Sequence, residues 1–469
     1  MRGLLSWGGY LPRRRLDRAA IAAVAGSGGG PGTRTVAGFD EDTTTMGVEA
    51  ARLALSPRTG VAVLPDTLWF STTAPAYLDK TNATAVHAAL RLGRTTAAYD
   101  AVGSTRSAVG ALRVGLDLGA ACLVVAADMR TGLPGGSDEA NGGDGAAALL
   151  VGSDADAPVV AELLAWSTVT EEFLDRWRAP GDAASSLWEE RFGLARYTEL
   201  GSEALKSALQ QARVSPGQVS TLIVAGPHER AARAVARASD IAPHLLADRL
   251  DGRVGNVGAA QPALLFAAEL EKQEPVGERI IVLANLSDGA DVAVFRTTEA
   301  LAAYRPVLPV ADQIAAGAPV DYGRYLAWRG LLPVEPPRRP APARPSATAA
   351  WRNRDWKFGF VGSAGEDGFA QLPPSHLDDA PTPMADATGT VVTFTVDRLA
   401  YSPSPPVVFA VIDFDGGGRL PMELTDIDEH EIHIGQRVEL TFRRLLTAEG
   451  VHNYFWKARP VRGMRAEGE

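Results

Sequence analysis

Across residues 1–300 the chain alternates short apolar runs with Ala-rich amphipathic stretches, and that alternation restricts the fold more than any other feature. Strand-like runs stand at Thr67–Ser71, Ala121–Ala126, Ala146–Val151, Leu222–Val224 and Ile280–Leu283. Between them, helical spacing appears at Thr45–Leu55, Ala83–Leu92, Ser107–Leu118, Glu199–Ala212 and His228–Ala238. Apolar strands alternating with helices predict a layered α/β fold around a largely parallel, buried sheet. The rhythm runs twice. One half, residues 1–155, closes on Asp144–Gly152 (DGAAALLVG), and the other, residues 156–300, closes on Asp291–Arg296 (DVAVFR). The halves share no strong sequence repeat, so a duplicated fold is expected from the rhythm alone. Gly26–Gly32 (GSGGGPG) lacks the strand–turn–helix setting that a dinucleotide fingerprint needs.

The pattern changes after residue 300. Residues 301–350 read as a linker and lead-in, with Val334–Pro345 (VEPPRRPAPARP) too rich in Pro and Arg for helix. In residues 351–469, β-type runs follow at Ala387–Arg398, Val407–Phe414, Arg419–Leu424, Arg437–Phe442 and Asn453–Ala458. Turn residues separate them at Pro403–Pro406, Gly416–Gly418, Gly435 and Glu449–Gly450. Short strands in this arrangement predict an all-β barrel of the OB type.

Charge and cysteine content exclude several functions. The 469 residues carry 46 Lys+Arg and 56 Asp+Glu, a net charge of −10, which argues against whole-chain binding to nucleic acid. The single cysteine, Cys122, permits no internal disulfide, four-Cys zinc site or iron–sulfur cluster. No signal peptide is expected in Met1–Arg15, and no run reaches the roughly 18 uncharged apolar residues of a spanning helix. A cytoplasmic protein without membrane partners is the expectation.

Several residues have chemistry to offer. His228 follows the Leu222–Val224 strand in Ala225–His228 (AGPH), at the kind of strand end where open α/β folds place ligands. It reads as a proton donor or base, or as a helix-start histidine satisfied by local backbone. Asn256, in Gly255–Ala260 (GNVGAA), reads as a carbonyl-oxygen donor or as a turn asparagine. Asp100–Leu112 (DAVGSTRSAVGAL) is a turn entering a helix, with Thr105 as the hydroxyl at the entry or as its cap. Tyr77, Asp79 and Lys80 line the same edge or form a solvated turn. Cys122 lies in an apolar run and reads as inert core. Asn82–Thr84 (NAT) has the form of a glycosylation triplet, without meaning in a cytosolic chain. Arg338, Arg339, Arg344, Arg352, Arg354 and Lys357 interleave with Trp351 and Trp356, as a single-strand or nucleotide-carrier contact or as a docked linker.

These residues carry a resemblance. Residues 1–300 resemble the thiolase superfamily, in the branch of 3-hydroxy-3-methylglutaryl-CoA synthase and the initiating ketoacyl-ACP synthases. The similarity rests on Leu4–Pro12 (LLSWGGYLP), Asp40–Thr45 (DEDTTT) with Gly47–Ala54, Tyr77–Ala83, the Asp100–Leu112 elbow, Gly143–Leu150 (GDGAAALL), Pro227–His228 and Gly255–Ala260. Residues 318–462 resemble an acyl-CoA-associated OB-fold domain with an N-terminal zinc ribbon, through Tyr322–Pro340, Trp356–Ser363 and Leu372–Pro374. The resemblance implies a duplicated thiolase-like α-β-α-β-α fold joined to an OB barrel, an acyl-CoA substrate and a homodimer, with a further thiolase-like partner as an option. It places His228 and Asn256 at the family's oxyanion site and Arg338 and Arg339 as contacts for CoA phosphates.

The departures separate the mechanisms. The family's nucleophilic cysteine falls on Thr105, and its catalytic glutamate falls on Thr72–Thr73. The ribbon would need two Cys pairs around Ala364–Gly368 and Asp378–Pro381, where none stands, so zinc is expected to be absent and no cofactor is invoked. A threonine without a dedicated base forms no ready acyl-enzyme. Retention of His228 and Asn256 therefore points to aldol-type making or breaking of a C–C bond beside a CoA thioester, with Tyr77 or Thr105 moving the proton. The alternatives are a synthase-like acyltransferase with an unusual nucleophile and a non-catalytic acyl-CoA-binding scaffold.

Overall fold

The structure is a computed structural model that describes residues 1–272, 277–365, 368–375 and 380–462. Of the segments expected to carry the lost ribbon cysteines, Glu366, Asp367, Asp378 and Asp379 lie outside the described residues. The chain forms two units. The first takes Met1–Val36, Ala50–Ala83 and Arg94–Tyr322, and the second takes Ala37–Glu49, Thr84–Gly93 and Gly323–Glu469.

The first unit is built on a nine-stranded sheet. Its strands are β1 (Arg2–Tyr10), β2 (Thr67–Thr72), β3 (Ala97–Val102), β4 (Cys122–Met129), β5 (Asp144–Ser153), β6 (Ala161–Thr170), β7 (Thr221–Ala225), β8 (Ile280–Leu286) and β9 (Gly289–Thr297). They lie in the order β7-β8-β9-β6-β1-β5-β4-β2-β3. The expectation of a largely parallel sheet needs correcting. Only the flanks are parallel, β7 with β8 and β2 with both β3 and β4. Antiparallel pairing runs through the middle. The reason lies in what an apolar run reports: β5 is buried along nearly its whole length, and such a run signals cover on both faces rather than strand direction. Direction is set by connections. The Asp288–Gly289 turn, with φ of 48° and 127°, reverses β8 straight into β9 and leaves no room for a crossover.

Helices cover the sheet through small and branched residues. The relevant ones are α1 (Thr43–Ala54), α2 (Arg106–Leu118), α3 (Glu190–Ala212), α4 (Glu229–Ala238) and α5 (Gln261–Leu270). In α2 the buried stripe is Ala108, Val109, Ala111, Leu112, Gly115 and Leu116, the spacing of one helix face. A Cβ on Gly115 would stand 3.0 Å from the Cys122 sulfur, so this glycine lets α2 press onto the sheet. Burial pushes the Cys122 thiol up to about 12, which makes it inert core as expected. Helix α3 packs Leu200, Ala204, Leu205, Ala208 and Leu209 against Leu222, Val224, Val282, Ala284, Val292 and Val294. It begins at Glu190 rather than Glu199 because Gly193 hides the start of the pattern.

Just beyond α5, Glu271 accepts from Trp7 Nε1 at 3.2 Å and from Val310 N at 2.7 Å. Burial raises its carboxyl from 4.5 to about 7. The folded protein therefore holds this proton to higher pH than the unfolded chain does. Its contribution to stability is fully present below 4.5 and is lost as pH rises through about 7. Thermal melts between pH 4.5 and 8 should show this fall, and Glu271→Gln should remove that component of the slope.

The second unit holds a closed barrel of β10 (Thr388–Asp397), β11 (Val407–Phe414), β12 (Arg419–Leu424), β13 (Arg437–Ala448) and β14 (Val451–Pro460), in the order β10-β11-β12-β14-β13. Alternation is plain in β11, where Val408, Ala410, Ile412 and Phe414 face inward. The interior is aromatic around Phe360, Phe442 and Trp456. Trp356 stacks on Phe360 with ring centroids 4.8 Å apart, so it docks onto its own unit rather than standing free as a base platform, while Trp351 is exposed.

The DEDTTT segment, read as a feature of the α/β fold, groups spatially with this unit. Its acids meet bases from the barrel strands. Arg443 pairs with Glu41 and, at 2.8 Å, with Asp426. Lys457 pairs with Asp40 at 3.0 Å and Glu423 at 2.7 Å, and Arg459 with Glu49 and Glu439, each at 2.8 Å. Tyr454 donates to Asp42 at 2.7 Å. Burial opposes the charge on Lys457, but Asp40 and Glu423 outweigh it and hold the ammonium above its ordinary range. Among the described residues, no helix is long and apolar enough to cross a membrane.

Candidate active site

The chemistry-bearing residues of the first unit gather where the parallel flank strands end. Beyond β7, Gly226 takes φ 141°, and a Cβ there would stand 2.7 Å from the Leu286 carbonyl oxygen. That turn delivers His228, in extended conformation, to the start of α4. His228 makes no cap. Its Nε2 lies 3.0 and 3.2 Å from the two oxygens of Asp175, which is 2% exposed. A carboxylate only accepts, so Nε2 carries the proton and Nδ1 is the basic nitrogen of the neutral ring. Gly193 gives the pair room, since a Cβ there would meet the Asp175 oxygen at 2.1 Å and the His228 nitrogen at 2.6 Å. The Tyr197 ring lies 5.6 Å away, its phenol raised by burial and then by Asp175. Sequence reading missed Asp175, which lies in the irregular stretch after β6, where no periodicity marks it.

Asn256 bonds at both ends of its side-chain amide. Its Nδ2 donates to the Gly226 carbonyl at 2.9 Å, and its Oδ1 accepts from Gly258 N at 2.8 Å. This ties the GNVGAA loop to the turn that carries His228. Among the described residues that bond uses one of the two Nδ2 hydrogens. Gly255 and Gly258 are required, with φ of 85° and 57°, because their Cβ atoms would run into Gly142 O at 2.4 Å and the Asp128 carboxylate at 2.1 Å.

Thr105 is no cap either. Ser104 takes the local bond, accepting from Arg106 N at 3.1 Å, while Thr105 Oγ1 and Ser287 Oγ lie 2.7 Å apart. A hydroxyl paired with a hydroxyl has no base to activate it. Arg106 bonds Asp291 at 2.8 Å and fixes this elbow against the end of β8 and the start of β9. At the end of β2, fully buried Asp128 accepts from Thr72 Oγ1 at 3.0 Å, Thr73 N at 2.7 Å, Thr73 Oγ1 at 3.0 Å and Ala259 N at 2.7 Å. It joins the Thr72–Thr73 position to the Asn256 loop.

Tyr77 stands in a half-buried turn held by Asn82, which accepts from Tyr77 N at 3.0 Å and donates to its carbonyl at 2.9 Å. Asn82 is 3% exposed and structural. Lys80 lies 6.0 Å from the Tyr77 ring. Arg338 and Arg339 belong to the second unit and are exposed, Arg338 beside Glu335 at 3.6 Å.

Comparison with known proteins follows the same division. Residues 382–443 match the family described as the ChsH2 C-terminal OB-fold domain. The chain is 28% identical over 351 residues to the hydroxymethylglutaryl-CoA synthase of Aeropyrum pernix, covering 71% of this chain and 95% of that one. It is 27% identical over 349 residues to the hydroxymethylglutaryl-CoA synthase of Methanopyrus kandleri, covering 70% and 97%. In structure it resembles an HMG-CoA synthase solved in complex with CoA, at TM-score 0.60 and 16% identity, covering 69% of this chain and 89% of the other. It also resembles 3-oxoacyl-[acyl-carrier-protein] synthase III of Aquifex aeolicus, at TM-score 0.54 and 19% identity, covering 64% and 100%. The chain is thus a homologue of the hydroxymethylglutaryl-CoA synthases on a thiolase-like fold, extended by a C-terminal OB-fold domain of the ChsH2 kind.

Proposed function

We propose that this protein makes or breaks a C–C bond adjacent to a CoA thioester by an aldol-type reaction, without an acyl-enzyme. The observation that carries this reading is the Asp175-held His228 beside Asn256, in a site whose nucleophile position is a threonine bonded to Ser287. The names of the homologues, and the CoA in one related structure, support a CoA thioester as the ligand.

In the cleavage direction, His228 Nδ1 takes the proton from the C3 hydroxyl of a 3-hydroxyacyl-CoA. The C2–C3 bond breaks as C3 becomes a carbonyl, and the electron pair moves through C2 to the thioester oxygen. The second Nδ2 hydrogen of Asn256 holds that oxygen, where the negative charge develops. Protonation of C2 releases a shortened acyl-CoA, with Thr105 or Tyr77 as the hydroxyl in the proton path. Addition is the reverse sequence. No oxidant or metal enters the balance, and no zinc is invoked. The reading extends, on resemblance, to a cytoplasmic homodimer, with association to a further thiolase-like chain as an option.

Incubation with a panel of acyl-CoAs and 3-hydroxyacyl-CoAs, followed by mass spectrometry, tests it. The expected products are a shortened acyl-CoA and a ketone or aldehyde, with no free CoA and no acyl adduct on the protein. Free CoA with a lengthened product, or an adduct on Thr105, would replace this reading with the acyltransferase.

A further inference from the structure

The stretch after β6 leaves large apolar side chains in solvent beside the His228–Asp175 pair. It folds back on itself through two short antiparallel strands, with Trp177 opposite Ser186 and Arg176 opposite Leu187. The Trp188 amide donates to the Asp175 carbonyl at 2.8 Å and carries the pairing one step further. Opposite residues of an antiparallel ladder share a face, and so do alternate residues along each strand. Asp175, Trp177, Ser186 and Trp188 therefore lie on one face, and Arg176 and Leu187 on the other. The Asp175 carboxylate meets His228, so the face with the two tryptophans is the one turned to the histidine. On it the indole centroids stand 6.5 Å apart; Trp177 is half-buried and Trp188 is 57% exposed. On the opposite face Arg176 is fastened to Asp138 at 2.6 and 2.7 Å, which holds the hairpin in place. A second row of rings leads outward from the same histidine. Tyr197 lies 5.6 Å from it, Phe173 lies 5.2 Å from Tyr197, and exposed Phe192 lies 6.1 Å from Phe173. Exposed aromatic surface grouped beside polar reacting groups is the composition of a small-molecule site.

We propose that Trp177, Trp188 and Phe192 receive the hydrocarbon tail of the acyl group, the carbons beyond C3. This deepens the acyl-CoA reading and rests on it. The tail is favoured as the occupant by continuity with the reacting atoms. In the proposed reaction C3 is held at His228, and the tail starts from C3. The CoA arm starts instead from the thioester, whose oxygen is held at the Asn256 loop. The aromatic face is joined to the histidine through Asp175 and Tyr197, so it stands at the tail end of the substrate. Two indoles offer large apolar area with little side-chain freedom to lose. The substrate class is a CoA thioester with a long, uncharged hydrocarbon chain, rather than a short or carboxylated acyl group.

The test is calorimetric binding of CoA, butyryl-CoA, octanoyl-CoA and dodecanoyl-CoA to the full chain, which needs no turnover. Each fully buried methylene tightens binding about fourfold, so partial burial of the tail predicts octanoyl-CoA about tenfold to a hundredfold tighter than butyryl-CoA. Trp188→Ser, at an exposed position that the fold can spare, should flatten the series and leave the affinity for CoA itself unchanged. Trp177→Ser should flatten it as well. A flat series in the unmodified protein would overturn the proposal while leaving the acyl-CoA reading intact. So would equal weakening of CoA and every thioester by Trp188→Ser, which would assign the indole to the adenine ring. A series untouched by Trp188→Ser, with a change of oligomeric state in sedimentation, would assign the patch to contact between copies of the chain and overturn the proposal too. Failure of every thioester to bind would overturn both readings.

Discussion

Replacing Arg443 by Met lowers the stability of the protein by about 3–5 kcal/mol, through the charge it strands rather than the bond it removes. Arg443 is fully buried and stands between Glu41, 1% exposed, and Asp426, 10% exposed. Methionine fills much of the volume, so packing changes little. The Glu41 carboxylate also accepts from the Gly38 amide at 2.8 Å, but a neutral amide does not balance its charge. Water cannot reach it readily, and a buried carboxylate without its cation costs several kcal/mol. The double variant Arg443→Met/Glu41→Gln should recover a substantial part of the loss, because the stranded charge is gone. Urea unfolding followed by tryptophan fluorescence reads both. A loss under 1 kcal/mol for the single variant, or strictly additive losses, would contradict the assignment.

Asp175→Asn should lower turnover by about a hundredfold or more, approaching the loss from His228→Ala, with CoA-thioester binding retained. In the proposed reaction the carboxylate would serve His228 in two ways: by accepting the hydrogen bond from Nε2–H, which leaves Nδ1 as the base, and by balancing the imidazolium that forms there. An asparagine can present its NH2 group to Nε2, which favours the other tautomer, and it carries no charge to balance the cation. The two residues act as a unit, so the double variant should be little worse than His228→Ala alone. Steady-state kinetics separates this positioning role from a structural one: kcat falls while KM stays within a few-fold. Parallel loss of binding and of thermal stability would instead make Asp175 a structural residue. Gly193→Ala gives a third view, since its methyl would occupy the space of the pair.

The strands and helices were legible wherever burial was one-sided or the turn chemistry was strong. In the barrel, β11 and β12 have the expected limits because alternation in Val407–Phe414 and the glycines at Gly416–Gly418 mark them directly. β13 runs on to Ala448 through an irregularity between Arg444 and Leu446, where alternation slips by a residue. His228, Asn256 and Thr105 stood out as candidates because each stands in a short turn with its own signature. The bonds that hold their side chains were not legible. Thr105 meets Ser287 from 182 positions away, and His228 meets Asp175 across 53.

The amino-acid sequence by itself determined the two kinds of architecture, the limits of β11 and β12 and the inert core position of Cys122. These are local facts, set by periodicity, turn residues and residue type. The tertiary structure decided strand direction, the partner of His228, the tie from Asn256 to the Gly226 turn and the grouping of the DEDTTT acids with the barrel's bases. Each of these depends on which remote groups share a dry, low-dielectric neighbourhood. That proximity is created by folding and leaves no periodic trace along the chain.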